Sequence, residues 1–311
     1  MTSYATFIWP NLANSHFFVS DVVTESGIRE FTASDGYQLR YRFYPARETP
    51  PRGYVVALHG IQSHAGWYEY SSQRLADAGY EVSFLDRRGS GLNEQDRGHA
   101  SHVDRLVNDV IQFLGEVQFH RERDAPTVPV ILSAVSWGGK LAAVTCARRP
   151  ELVDALALLT PGICARILPN WHQRWRLQLA GILGIERKLV SIPLNDPTLF
   201  TDEPDWQEFI RNDRLLLRQA TVGLLQASIQ LDDEVAMVPQ RIGCPALLVL
   251  AGKDRIINND KSRQWFERLQ SPQRQIIEYP DARHTLEFEP NRQQIIDDLI
   301  EWYATIPARS I

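Results

Sequence analysis

The chain has 311 residues, 44% apolar and 23% charged, which suits a soluble globular protein and excludes a disordered or fibrous one. A formal net charge of -5, with the basic residues scattered, gives no footprint for nucleic acid. Cys146, Cys164 and Cys244 form no CxxC or Cys/His cluster, which excludes a disulfide scaffold or zinc site and fits a reducing, cytoplasmic setting.

The chain does not open on a basic segment followed by an apolar run, and no stretch nears the ~18 apolar residues of a membrane span. Neither leader nor span is expected. Residues 1–26 have weak periodicity and read as an N-terminal extension. Strand-like runs follow at 27–31, 38–44 and 54–58, split by the turn signal Ser34-Asp35-Gly36 and the Pro-rich stretch 49–53. Strands and helices then alternate: strand 81–85, helix 102–119, strand 128–134, helix 137–148 and strand 153–159. After an interruption come strand 246–251, helix 261–269, strand 275–279 and a helix over 292–305. These strands are near-continuous in Val, Ile, Leu and Ala, the pattern of a parallel sheet covered on both faces. A doubly wound α/β fold is expected.

No strand signal recurs between residues 161 and 241, and the segment reads as helical. Trp171, Trp175, Leu179 and Ile182 share one helical face, with Gln173 and Arg176 opposite. A stretch broken by Pro193, Pro197 and Pro204 precedes a second helical run over 213–231. The expected division is a core of residues 1–160 and 242–311 with a helical cap, 161–241, over the carboxyl ends of the strands. Open α/β sheets bind their ligands there.

The strongest local signal is Ala134-Val135-Ser136-Trp137-Gly138-Gly139 between a strand and a helix. Such a tight turn raises a serine hydroxyl above the sheet and needs small residues two before and two after it. Gly138 satisfies this, and Ala134 departs from the usual glycine by one methyl. A serine hydroxyl needs a base to take its proton. His284, just after the last strand, is the candidate, and Asp254, just after strand 246–251, is the group to orient it. Each signal alone is common in loops. Together they run Ser…Asp…His, each behind a different strand, and that order separates them from triads on other folds. Acyl transfer also needs donors for an oxyanion. The expected ones are the backbone N–H groups of Trp137 and of Ile61, with Gly60 letting the backbone turn in close. His59 and His64 read as structural.

These pieces resemble the α/β-hydrolase family, and within it the monoacylglycerol lipase and lysophospholipase-like branch. The resemblance rests on His59-Gly60-Ile61-Gln62-Ser63-His64 with Trp67-Tyr68, Asp86-Arg87-Arg88-Gly89-Ser90-Gly91, the Ser136 turn, Pro193-Leu194-Asn195-Asp196-Pro197, Gly252-Lys253-Asp254 and His284. It spans residues 55–290. It implies an eight-stranded core with a helical cap, hydrolysing a carboxylic ester without metal or cofactor. Two departures bear on substrate identity: Ala134 replaces a glycine, and the Trp137 indole narrows the acyl pocket.

The expected enzyme is thus a Ser-His-Asp ester hydrolase for a small-molecule substrate with an apolar acyl chain, with no stable membrane insertion and transient membrane contact left open. A carbon–carbon bond hydrolase and a thioesterase remain as alternatives on the same triad. From another class, a non-catalytic small-ligand binding protein also remains. Dehalogenases and epoxide hydrolases of this fold carry an aspartate where this chain has Ser136.

Overall fold

The computed structural model describes residues 26–166 and 184–309. Eight strands form one sheet: β1 (Gly27–Thr32), β2 (Gln38–Tyr44), β3 (Gly53–Leu58), β4 (Tyr80–Leu85), β5 (Val130–Val135), β6 (Ala155–Leu159), β9 (Ala246–Ala251) and β10 (Arg274–Tyr279). Their spatial order is β1-β2-β4-β3-β5-β6-β9-β10. The β1–β2 and β2–β4 pairs are antiparallel and every other pair is parallel. All residues of β3, β6 and β9 are buried, because helices cover both faces of a parallel sheet.

Alternate residues of each strand serve different layers. Val56, Leu58, Leu132, Leu156 and Leu248 pack with α2 (Val103–Asp124), α3 (Trp137–Arg148) and α6 (Asn259–Glu267). Val55, Val82, Ile131, Ala157 and Leu247 pack with α1 (Glu69–Asp77) and α7 (Arg292–Ala304). This is the α/β-hydrolase architecture expected from the sequence, with small differences at element ends. Helix α2 runs to Asp124, since Arg121 is buried and its guanidinium donates to the Gln118 side chain. Strand β5 starts at Val130 because Pro129 has no N–H to donate, although its carbonyl accepts from Tyr54. Helix α1 has no counterpart in the sequence reading. Only Leu75 and Ala76 supply its buried apolar surface, too little for a periodic signal.

The segment between β6 and β9 corrects the sequence reading. It carries two short antiparallel strands, β7 (Leu189–Ser191) and β8 (Gln219–Thr221), so it is not purely helical. Three residues each are too few for a period-2 pattern to register. The Pro-broken stretch holds a helix, α4 (Pro204–Asn212), whose proline occupies the first turn, where no N–H is required. The second helical run begins later than expected. Its helix, α5 (Val222–Met237), is capped by the Thr221 hydroxyl, which accepts from the Leu224 N–H, and residues 219–221 belong to β8. The Trp171, Trp175, Leu179 and Ile182 face lies outside the described residues, as do residues 1–25. Among the described residues no helix is long and apolar enough to cross a membrane.

Candidate active site

Strand β5 delivers Ser136 into the N-terminus of α3 with φ 52° and ψ -126°. A non-glycine residue is strained there and persists only where its surroundings over-determine it. They do so here. The Ser136 N–H donates to the Leu159 carbonyl at 3.1 Å, and its own carbonyl accepts from Gly139 at 2.8 Å and Gly162 at 2.6 Å. Ala134 is fully buried beneath the turn. At Gly138 a Cβ would stand 2.6 Å from the His59 carbonyl oxygen and 2.9 Å from that of Leu58, so the helix reaches β3 only with glycine at this position.

His284 stands between the other two expected residues. Its Nε2 lies 2.9 Å from Ser136 Oγ, and its Nδ1 lies 2.7 Å from Asp254 Oδ2. Asp254 follows the end of β9, and His284 follows β10, its neighbour in the sheet. The other carboxylate oxygen of Asp254 accepts from the Ile256 and Ile257 N–H groups at 2.7 and 2.9 Å. Those two donors fix the orientation of the carboxylate. It in turn holds the proton of His284 on Nδ1, leaving Nε2 as the acceptor for the Ser136 hydroxyl. The imidazole and the carboxylate are buried and Ser136 is half-buried, so proton exchange with water is restricted to the serine side.

The expected oxyanion donors flank the serine. Trp137 follows it directly. A Cβ on Gly60 would lie 3.2 Å from Ser136 Cβ, which places the Gly60–Ile61 peptide against the nucleophile. Neither the Ile61 nor the Trp137 N–H donates to an acceptor among the described residues. The buried His59 fixes the first of these peptides. Its Nε2 accepts from the Arg87 N–H at 3.0 Å, so Nδ1–H donates to the Gly60 carbonyl at 2.7 Å. Burial, joined by the nearby Arg87 charge, holds His59 well below the ordinary imidazole range and therefore neutral. His64 faces the other way and binds Asp213 of the β6–β9 segment, with Nε2 to Oδ2 at 3.0 Å.

Three contributors carry no site role in the sequence reading: Thr160, Phe200 and Arg87, the last named there only within the Asp86–Gly91 motif. Thr160 tethers the His284 carbonyl, Phe200 meets the His284 ring edge-on at 6.0 Å, and Arg87 lies over the Trp137 indole. Each comes from an element remote in sequence from its partner, and a side chain's reach across such distances leaves no local pattern. Among the described residues no three His, Cys, Asp or Glu side chains gather as a metal site. The arrangement can activate a hydroxyl and receive an anion beside it.

Comparison with known proteins agrees with the fold. The family model described as "Serine aminopeptidase, S33" matches residues 49–291. A monoacylglycerol lipase of Mycolicibacterium smegmatis is 29% identical over 259 residues, covering 82% of this chain and 89% of the relative. The human monoglyceride lipase is 26% identical over 260 residues, 82% of either chain. Among solved structures, a soluble variant of the Saccharomyces cerevisiae monoglyceride lipase superposes with a TM-score of 0.79 at 18% identity, covering 96% of this chain and 100% of the other. The Paleococcus ferrophilus monoacylglycerol lipase gives 0.74 at 24% identity, covering 86% and 98%.

Proposed function

The chain belongs to the serine aminopeptidase S33 family of α/β-hydrolases, and from that premise we propose that it hydrolyses a carboxylic ester of an apolar acyl chain, of monoacylglycerol or lysophospholipid type, through an acyl-enzyme on Ser136. One observation carries the reading: the unbroken hydrogen-bond chain Ser136 Oγ–His284–Asp254, with neither neighbouring peptide N–H engaged elsewhere among the described residues. His284 takes the Ser136 proton as the oxygen attacks the ester carbonyl, and the resulting oxyanion is bound by the Ile61 and Trp137 N–H groups. The imidazolium, stabilised by Asp254, then protonates the leaving alcohol. In the second half His284 activates a water that releases the acid. No metal or cofactor enters this sequence.

Residues 161–241 are the cap in this reading. Phe200 beside His284, and the Thr285 N–H donating to the Phe200 carbonyl at 2.9 Å, support a segment that borders the substrate. Buried Phe200 and Ile210 and partly buried Leu194 and Leu199 give it an apolar character suited to an acyl chain. Relatives named as monoacylglycerol and monoglyceride lipases support a glyceride over a peptide, although the family description names an aminopeptidase. The proposed setting is the cytoplasm, where an acidic enzyme with free cysteines meets its lipid substrate in transient contact with a bilayer.

The test is hydrolysis of p-nitrophenyl esters from acetate to palmitate, of 1-monoacylglycerols and lysophospholipids, and of alanine p-nitroanilide, after fluorophosphonate labelling of wild type and Ser136→Ala. Labelling and ester turnover by the wild type alone, rising with chain length, is the expected result. Turnover of the anilide in preference to the esters overturns the ester reading while keeping the nucleophile. Equal labelling of both proteins overturns the nucleophile.

A further inference from the structure

Arg87 is buried, and among the described residues no carboxylate lies within ion-pair distance of its guanidinium. Neighbouring Asp86 is committed elsewhere, its carboxylate accepting from the Ala65 and Leu92 N–H groups. A cation removed from water without a counter-ion carries a desolvation penalty that the fold does not need, since an apolar side chain of similar volume fills such a space at no such cost. What Arg87 does touch is specific. Its Nη2 donates to the Ile61 carbonyl at 2.9 Å, and its guanidinium carbon lies 4.9 Å from the centre of the Trp137 ring. Its backbone N–H holds His59, which holds the Gly60 carbonyl. One residue thus reaches both residues expected to supply oxyanion donors, which lie 76 positions apart (137 less 61). Its Nε, also buried, has no hydrogen-bond partner among the described residues.

We propose that Arg87 is a positioning residue of the oxyanion hole, holding the Ile61 loop against the Trp137 indole and placing a fixed positive charge behind the two N–H donors. The inference rests on the acyl-transfer reading of Ser136. The guanidinium keeps its charge at neutral pH, since burial pushes its pKa down only to about 10. A fixed charge close to a site of developing negative charge needs no rearrangement during the reaction, and in a water-poor site it is weakly screened. The group touches neither serine nor imidazole, so its action is exerted through Ile61 and Trp137. The Trp137 indole is itself held by a hydrogen bond, its Nε1–H donating to the Ser228 hydroxyl at 2.9 Å. Arg87 therefore meets an indole that is itself held by a hydrogen bond.

The experiment compares wild type, Arg87→Met, Arg87→Lys and Arg87→Gln for p-nitrophenyl butyrate hydrolysis, melting temperature and inhibition by phenylboronic acid, which binds a serine oxygen as a tetrahedral anion. Arg87→Met removes the buried charge while filling its space, so the expected protein melts no lower than wild type. Its kcat falls about 10- to 100-fold, somewhat less than loss of a whole oxyanion donor, its KM stays within about twofold, and boronate affinity falls with kcat. Arg87→Lys, which keeps the charge without the planar fork, recovers part of kcat. A merely structural arginine predicts the reverse pattern: kcat loss that follows a fall in melting temperature, with boronate affinity unchanged. That result, or a folded Arg87→Met within about threefold of wild type in kcat, overturns the proposal. If Arg87→Met does not fold, Arg87→Gln decides, since it keeps a donor for Ile61 without the charge; wild-type kcat there is equally fatal. Failure of the ester reading is separately visible, because it appears in the wild type as absent turnover before any variant is compared.

Discussion

The Thr160 hydroxyl donates to the backbone carbonyl of His284 at 3.0 Å, joining the end of β6 to the loop that carries the imidazole. Thr160 is buried and itself has φ 41°, an uncommon conformation for a β-branched residue, and its N–H binds the Val249 carbonyl of β9. The imidazole position is therefore set from beneath by the sheet as well as by Asp254. Thr160→Val keeps the shape and removes the donor, leaving a buried carbonyl unsatisfied. We expect a loss of about 1–2 kcal/mol in urea unfolding, with kcat reduced several-fold and KM unchanged. Unaltered kcat at reduced stability would assign the bond to the fold alone.

Ser136 gives a second prediction, in which stability and activity move in opposite directions. Its φ of 52° is strained for any side chain but open to glycine. Ser136→Ala and Ser136→Gly should both lose kcat by on the order of 10^4-fold or more. Ser136→Gly should nevertheless be more stable than Ser136→Ala by about 1 kcal/mol, because glycine occupies this conformation without strain. Thermal unfolding of the two inactive proteins, which share the same missing hydroxyl, reads the strain directly. Equal melting temperatures would show that the turn stores none.

The strands and the positions of Ser136, Asp254 and His284, which the fold brings together, were legible because both leave local marks. A fully buried parallel strand such as Ala246–Ala251 is an unbroken apolar run, and a residue just past its end, such as Asp254, occupies a slot that topology defines. The geometry of Gly138 against the His59 carbonyl is likewise visible as a small residue at fixed spacing from Ser136. What escaped notice works through space. Nothing near Thr160 announces a bond to a residue 124 positions away. Arg87 was visible only as part of a turn motif, since burial of a cation cannot be read from its neighbours in sequence. Strands β7 and β8 were missed because three residues carry no usable period, and their pairing is fixed by the core around them.

Asp213 is the point at which the β6–β9 segment is fastened to the loop behind Ile61. One oxygen of its carboxylate receives both the His64 Nε2–H at 3.0 Å and the Trp67 Nε1–H at 2.7 Å, and the other receives the Leu215 N–H at 2.8 Å. Close by, the Leu217 N–H donates to the Gln62 carbonyl at 2.9 Å. Burial pushes the Asp213 carboxyl up, but His64 and Trp67 outweigh it and hold it below the ordinary range. Asp213→Ala leaves two buried ring donors without an acceptor. We expect a loss of about 2–4 kcal/mol in urea unfolding, together with a rise in KM larger than any fall in kcat. A kcat loss at constant KM would instead mean that the Ile61 loop, and not the substrate boundary, depends on this tie.

Glu287 makes the last prediction, on pH. It sits in the short helix Leu286–Phe288, three residues after His284, and lines a small cavity of about 40 Å³ with Ser71, Ser133 and Thr160. Burial pushes its carboxyl up to about 7, against the opposing pull of the Ser71 N–H and hydroxyl and of Arg292. Between 4.5, its ordinary value, and about 7, the folded protein retains a proton that the unfolded chain has released. The native state binds more protons across that window, so this group makes stability fall as pH rises through it. Below the window both states are protonated and the contribution is constant. Glu287→Gln keeps a neutral acceptor for Ser71 at every pH and removes the titration. The urea midpoint of wild type should therefore decline from about pH 5 to about pH 8 more steeply than that of Glu287→Gln, with the variant the more stable protein at the alkaline end. Parallel slopes for the two proteins would mean that Glu287 ionises in the folded state as readily as it does in the unfolded chain, and that its burial is relieved by solvent reaching the cavity.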